Sequence, residues 1–229
     1  MMLRCENVNA RYGPAHVLFD VSFEVPEGSL VALVGRNGVG KSTTLKTVMG
    51  LVPARSGTIH FEGRPIHRLE PFRIARMGIG YVPEERRVFS DLSIDENLDV
   101  AERPGPWTRQ RIYREFPALA ELRARRAGLL SGGQQQMLAI ARSLATNPRL
   151  LLMDEPTEGL APVIVGALRS LVQALRREGQ TCLLAAQDLH FALATADQVL
   201  VMNKGQVTYR TSGEAARADM SPLAERLAV

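Results

Sequence analysis

Cysteine and lysine are scarce in this chain of 229 residues, and long apolar runs are missing. The two cysteines, Cys5 and Cys182, lie far apart with no second pair to complete a metal-binding spacing, so they read as buried small apolar residues of a reducing compartment. The longest apolar runs, Leu30 to Val34, Leu150 to Met153 and Cys182 to Ala186, fall far short of the ~20 residues that crossing a bilayer needs. The start, Met1 to Asn7, lacks the hydrophobic core of a signal peptide, and a cytosolic protein is expected. No internal repeat or low-complexity tract interrupts the chain. Charge of one sign is not in large excess: 28 basic residues face 24 acidic ones, giving a net charge of +4. A pI near 9.4 could favour nucleic acid or anionic lipid, but the interspersed acids point to a mixed, solvated surface.

Lysine occurs only at Lys41, Lys46 and Lys204, and the first of these sits in the most informative segment. Gly35-Arg36-Asn37-Gly38-Val39-Gly40-Lys41-Ser42-Thr43 fits the Gly-x-x-x-x-Gly-Lys-Ser phosphate loop and follows directly on the apolar run Leu30 to Val34. A strand feeding a glycine-rich turn and then a helix aims successive backbone N–H groups at one point, where a triphosphate fits. Gly35, Gly38 and Gly40 are expected to take positive φ and let the backbone approach phosphate oxygens. Lys41 reaches the β and γ phosphates in this reading, and the Ser42 hydroxyl ligates Mg²⁺.

Strand-like segments recur at Leu18 to Val25, Leu30 to Val34, Thr58 to Phe61, Ile79 to Val82, Leu150 to Met153, Cys182 to Ala186, Val199 to Met202 and Gln206 to Tyr209. Helical patterns separate the later ones; Val163, Ala167, Leu168 and Leu171 are spaced for one face of a helix ending near Gly179. The alternation predicts an α/β core with a largely parallel sheet. From about Asp91 to Gly128 the chain is arginine-rich, carries Pro104, Pro106 and Pro117 and lacks clear strands, which reads as a small inserted helical lobe with a solvated face. The roughly twenty residues after Tyr209 are too few for an appended regulatory domain of ~50 or more.

The run Leu150 to Met153 ends in Asp154-Glu155. Alone, such a pair reads as an exposed turn. Together with the phosphate loop it reads as chemistry: Asp154 holds Mg²⁺ opposite Ser42, and Glu155 orients and deprotonates an attacking water, so the reaction is hydrolysis. A third element, Leu130-Ser131-Gly132-Gly133-Gln134, precedes a helix with Met137, Ile140, Ala141 and Leu144 on one face and Asn147-Pro148 as its stop. Small residues at a helix N-terminus form a second anion site.

Phosphate loop, Leu-Ser-Gly-Gly-Gln and a strand ending in Asp-Glu, in that order, resemble the ATP-binding subunit of an ABC transporter over nearly the whole chain. The resemblance implies a P-loop NTPase of the ABC ATPase type: a mostly parallel sheet core (about 1–90 and 129–229) with an antiparallel N-terminal β-subdomain and an inserted helical lobe (about 91–128). It implies two subunits meeting head to tail on two ATP molecules, with Ser131, Gly132, Gly133 and Gln134 of one completing the site built on Lys41 of the other. By the same resemblance Tyr12 stacks on adenine. Two integral-membrane permeases would be moved through a surface groove near Glu84 to Asp91 and the helical lobe, with a substrate-binding protein engaged indirectly and no nucleic acid.

Three positions depart from the family pattern. Glu84 stands where a glutamine links Mg²⁺ to the membrane partner, Gln187 where a histidine contacts the γ-phosphate, and Ala161 replaces the aspartate of the crossing loop. Glutamate can still ligate Mg²⁺ or accept from water, whereas an amide can donate a hydrogen bond but carry no proton. Tyr81-Val82-Pro83-Glu84, Arg86-Arg87-Val88-Phe89 and Gly159-Leu160-Ala161-Pro162 resemble the second ATPase subunit of branched-chain amino acid importers; branches serving urea, amides or other amino acids look similar. A soluble ABC-type ATPase acting on nucleic acid or ribosomes is the rival reading, and such chains commonly carry two cassettes or a long coiled coil, neither of which occurs here. A P-loop kinase is disfavoured by Leu130 to Gln134 and by Glu155.

Overall fold

A computed structural model describes residues 1–228. The strands are β1 (Leu3–Tyr12), β2 (Ala15–Val25), β3 (Leu30–Val34), β4 (Ala54–Phe61), β5 (Arg64–Pro65), β6 (Ile79–Val82), β7 (Leu150–Asp154), β8 (Thr181–Ala186), β9 (Gln198–Asn203) and β10 (Gln206–Ser212). The helices are α1 (Lys41–Val48), α2 (Pro71–Arg76), α3 (Ile94–Ala101), α4 (Arg109–Glu115), α5 (Pro117–Glu121), α6 (Gly132–Ala145), α7 (Pro162–Arg177), α8 (Leu189–Thr195), α9 (Gly213–Ala218) and α10 (Ser221–Ala228), with one 3₁₀ turn at Ala127–Leu129.

Two sheets follow from two sequence patterns. Strands β3, β7 and β8 are buried at every position, as expected of central parallel strands covered on both faces. They lie in a six-stranded sheet of order β10-β9-β3-β8-β7-β6, parallel except for β10, which returns antiparallel on β9. The other sheet, β2-β1-β4-β5, is antiparallel. The central sheet parts two cores. Leu30, Ala32 and Val34 of β3 face the core shared with α6, α7 and α8, while Val31 and Leu33 face the core built with β1, β2 and α1.

The structure extends the expected strands and adds two. β1 was not anticipated because Glu6, Asn7 and Asn9 break its apolar alternation, and the register slips on either side of Val8. β4 begins at Ala54 rather than Thr58, its exposed first residues bending through Gly57 at φ 84°. On α7 the buried stripe is Leu168, Leu171, Val172 and Leu175; Val163 and Ala167 are exposed, so the expected face runs one turn too far toward the N-terminus.

Helices α3, α4 and α5 bury Ile94, Leu98, Ile112 and Leu119 in the core that holds α6. A capping box closes the start of α3: Ser93 Oγ accepts from Glu96 N–H and the Glu96 carboxylate accepts from Ser93 N–H. Two of the arginines here are spent on internal partners. Arg109 pairs with Asp95 at 3.2 Å, Asp99 at 2.5 Å and Glu102 at 2.7 Å, and Arg111 stacks on Trp107 at 3.7 Å and pairs with Glu178. Among the described residues no helix is long and apolar enough to cross a membrane.

Candidate nucleotide site

The carboxyl ends of β3, β7 and β8 lie side by side, with Val34 paired to Ala186 and Asp154 to Ala185, so the loops leaving them converge on one edge of the sheet. The phosphate loop leaves β3 and turns into α1 through Gly38 at φ 81° and Gly40 at φ 110°. Gly35 is not in the left-handed region, contrary to expectation. Its constraint is space, since a Cβ there would lie 2.5 Å from Met202 O and 2.8 Å from Val39 Cγ2. The loop is also braced from behind, Gly205 N–H donating to Val39 O at 2.9 Å.

Lys41 is 4% exposed and coils over its own loop, donating to Gly35 O at 2.8 Å and Arg36 O at 3.0 Å. Its ammonium lies 3.0 Å from Glu155 Oε1. Glu155 itself leaves β7 with a left-handed φ of 44°, its N–H bonded to Ala185 O, and this turn carries the carboxylate over the lysine. Gln187 N–H donates to Glu155 Oε2 at 2.8 Å, whereas Oε1 is buried and accepts no aligned hydrogen bond. Burial pushes the Glu155 carboxyl above the ordinary range, opposed by Lys41 and the Gln187 amide. That direction suits a base, which works best with a pKa closer to the operating pH.

Asp154 is fully buried and doubly held: Ser42 Oγ donates to Oδ1 at 2.8 Å and Tyr81 Oη to Oδ2 at 3.1 Å. Burial raises its carboxyl despite both bonds. Tyr81 is the partner that the sequence reading missed. The available signal was the parallel pairing of β6 with β7, which puts Tyr81 across from Leu152, two residues before Asp154. Glu84 is exposed at the mouth, and burial together with Asp154, Glu158 and Glu85 raises its carboxyl. The cleft, about 310 Å³, is lined by Asn37, Gly38, Lys41, Ser42, Glu84 and Glu155 among others.

Not every expected site residue enters this cleft. Tyr12 sits half-exposed at the end of β1, outside the lining, and the Gln187 side chain is exposed while its backbone does the bonding. Ser131 to Gln134 form the first turn of α6 elsewhere on the surface. There Ser131 Oγ accepts from Gln134 N–H at 3.3 Å and Gln134 Oε1 accepts from Ser131 N–H at 2.9 Å, a capping box that leaves the Gly132 and Gly133 amides without intrahelical acceptors. Gly133 packs on Ile164 of α7, where a Cβ would come within 3.0 Å of Cγ1. Ala161 is the N-cap of α7 and supplies no capping bond; Pro162, which has no N–H to satisfy, follows it.

The donor set fits Mg²⁺. A hydroxyl and a buried carboxylate oxygen in contact match a hard cation that takes its remaining ligands from phosphate and water. Among the described residues no group of three or more His, Cys, Asp or Glu could form an all-protein cage.

The ABC transporter family model matches residues 18–158. The chain is 43% identical over 222 residues to the high-affinity branched-chain amino acid transport ATP-binding protein BraG of Pseudomonas aeruginosa, covering 93% of this chain and 94% of that one. It is 37% identical over 214 residues to the probable branched-chain amino acid transport ATP-binding protein LivF of Archaeoglobus fulgidus, covering 91% of each. A solved dimeric bacterial ABC transporter cassette superposes with a TM-score of 0.79 at 25% identity, covering 92% of this chain and 98% of that one. With a phosphate loop, a hydrogen-bonded Ser42–Asp154 pair and a carboxylate poised over Lys41, the chain belongs to the ABC transporter family as its ATP-hydrolysing cassette.

Proposed function

We infer that this chain powers import of branched-chain, hydrophobic amino acids through two partner permeases, working on the cytoplasmic face of the cell membrane as a dimer with a second copy or a related ATPase. The observation that carries the cargo is similarity over more than nine-tenths of the chain to two proteins named for that transport. ATP would be held by the loop from Gly35 to Thr43, with Tyr12 against adenine, and Ser131, Gly132, Gly133 and Gln134 of the second subunit closing the site. Mg²⁺, held by Ser42 and Asp154 with Glu84 at its edge, would neutralise charge on the phosphates when bound. Glu155 accepts the proton of the attacking water, and its raised carboxyl and an Oε1 held only by the Lys41 ammonium support that role. Lys41 moves from Glu155 to phosphate, which frees the carboxylate as the nucleotide arrives.

Gln187 supports rather than performs the chemistry, because its backbone holds Glu155 and its side chain is exposed. Gln187→Ala therefore retains ATPase activity at a reduced rate in a phosphate-release assay; loss to background would make the side chain essential.

A groove of about 630 Å³ lined by Arg76, Tyr81, Pro83, Arg103, Ala139 and Arg142, among others, suits a permease segment. It lies beside the expected stretch from Glu84 to Asp91 rather than on it, and Arg142 joins the two by donating to Arg87 O at 2.6 Å. Arg87→Glu keeps ATPase activity and loses its coupling to transport in reconstituted vesicles; intact coupling would place the contact elsewhere. The experiment for the whole reading is mass spectrometry of what co-purifies with the tagged chain from its native membrane. Two polytopic permeases and a second ATPase support it, and a soluble nucleic-acid complex without a permease overturns it.

A further inference from the structure

Arg86 lies outside the phosphate loop, the Leu130 to Gln134 element and the Asp154-Glu155 turn, yet its guanidinium lies between Gly132 and the loop that follows Glu155. Nη1 is 2.5 Å from the point where a Cβ on Gly132 would lie, and Nη2 is 3.7 Å from that point on Gly159. The group therefore rests on the first residue of α6 and reaches toward the loop that follows Glu155. A side chain at Gly132 would displace it.

Its charge is left over. Glu85, the nearest acid in sequence, is shared by Lys46 at 3.8 Å and Arg87 at 3.6 Å, and among the described residues no carboxylate comes within 4.0 Å of Arg86. The backbone that presents it is fixed. Arg142 donates to Arg87 O at 2.6 Å and stacks on Phe89 at 4.7 Å, while Asn97 accepts from Phe89 N–H at 2.9 Å and donates to Phe89 O at 3.0 Å. Arg86 and Arg87 both hold left-handed φ, 63° and 43°.

The same short loop serves two faces. Glu84 lines the cleft over the chain's own phosphate loop, and Arg86, two residues on, does not. That cleft contains three carboxylates, Glu84, Glu155 and Glu158, against the single ammonium of Lys41, so a triphosphate bound there is short of positive charge from its own subunit.

We propose that Arg86 is a nucleotide-contacting residue that acts across the dimer, its guanidinium joining the Ser131 to Gly133 turn in binding the terminal phosphate of the ATP seated on the other subunit's phosphate loop. This rests on the reading that Ser131 to Gly133 complete the opposite site. A planar fork of N–H donors suits phosphate oxygens, and Arg86 has no carboxylate to give up. The consequence is that one loop senses its own nucleotide through Glu84 and the opposite one through Arg86.

The test uses ATP-driven dimerisation of Glu155→Gln, followed by light scattering. Adding Arg86→Gln raises the ATP concentration needed for half-dimerisation by roughly tenfold or more, while a fluorescent ATP analogue binds the monomer as before. Arg86→Lys recovers part of the loss, since it restores charge without the fork. With Glu155 intact, mixing Arg86→Gln with Lys41→Ala restores ATPase activity above either alone, because one composite site in the mixed dimer then has both its own Lys41 and the opposite Arg86. Dimerisation of the double variant at the ATP concentration of its Glu155→Gln parent overturns the proposal, as does weakened binding to the monomer with no recovery on mixing. Failure of the parent itself to dimerise is a different result, which removes the sandwich reading and this inference with it.

Discussion

Glu155→Gln lowers ATP turnover by about 10²–10⁴-fold, the usual contribution of a positioned base. Glutamine keeps the size of the side chain and an oxygen that can accept from Gln187 N–H, so the turn out of β7 is preserved. It cannot take a proton, and it removes the negative charge that holds the Lys41 ammonium 3.0 Å away. Lys41 is then free for phosphate before any nucleotide arrives. Binding is retained or tightened while hydrolysis fails, and ATP-bound dimers accumulate. Phosphate release and light scattering read the two halves separately. Turnover within threefold of the parent would remove Glu155 from the proton path and leave its ion pair with Lys41 as a structural contact.

Gly205→Ala is expected to be strongly damaging although it lies outside the cleft. Gly205 sits in the turn between β9 and β10 at φ 79°, and an added Cβ would lie 2.1 Å from Val17 O and 2.7 Å from Phe19 Cδ2. A left-handed alanine costs about 1–2 kcal/mol and overpacking about 1–3 kcal/mol. Together these lower the melting temperature by roughly 4–20 °C for a chain of this size. The turn also bonds Phe19 N–H and Val39 O, so the disturbance reaches the phosphate loop and nucleotide affinity falls as well. Gly179→Ala is the control, having φ 76° but no atom within 4 Å of the added carbon. It should show the backbone cost alone. Equal melting temperatures for the two variants would mean that β2 yields freely to the added methyl.

What the sequence made legible follows from how local each signal is. The strands β3, β7 and β8 could be read because burial on both faces demands an unbroken apolar run, and the turns at their ends could be read because phosphate and metal chemistry restrict residue types within a few positions. Ser131 and Gln134 were read as part of an anion site, and their reciprocal capping was equally available in the Ser-x-x-Gln spacing. Gly35 was assigned the wrong constraint because sequence shows that a glycine is present but not whether φ or space demands it. Tyr81, the bracing of Val39 by Gly205 and the seat of Arg86 on Gly132 depend on residues 46 to 166 positions apart or on neighbouring strands, and no local pattern announces them.

Strand β3 alternates its side chains between the two cores, Leu30, Ala32 and Val34 to one and Val31 and Leu33 to the other. Neither core can melt while keeping that strand for itself, so loss of order on one face of the sheet is felt at once on the other. The phosphate loop is the direct continuation of β3. A nucleotide gripped there is fastened to a strand that both halves share, and its binding energy is spread over the cooperative unfolding of the whole cassette rather than stored in the loop that touches it.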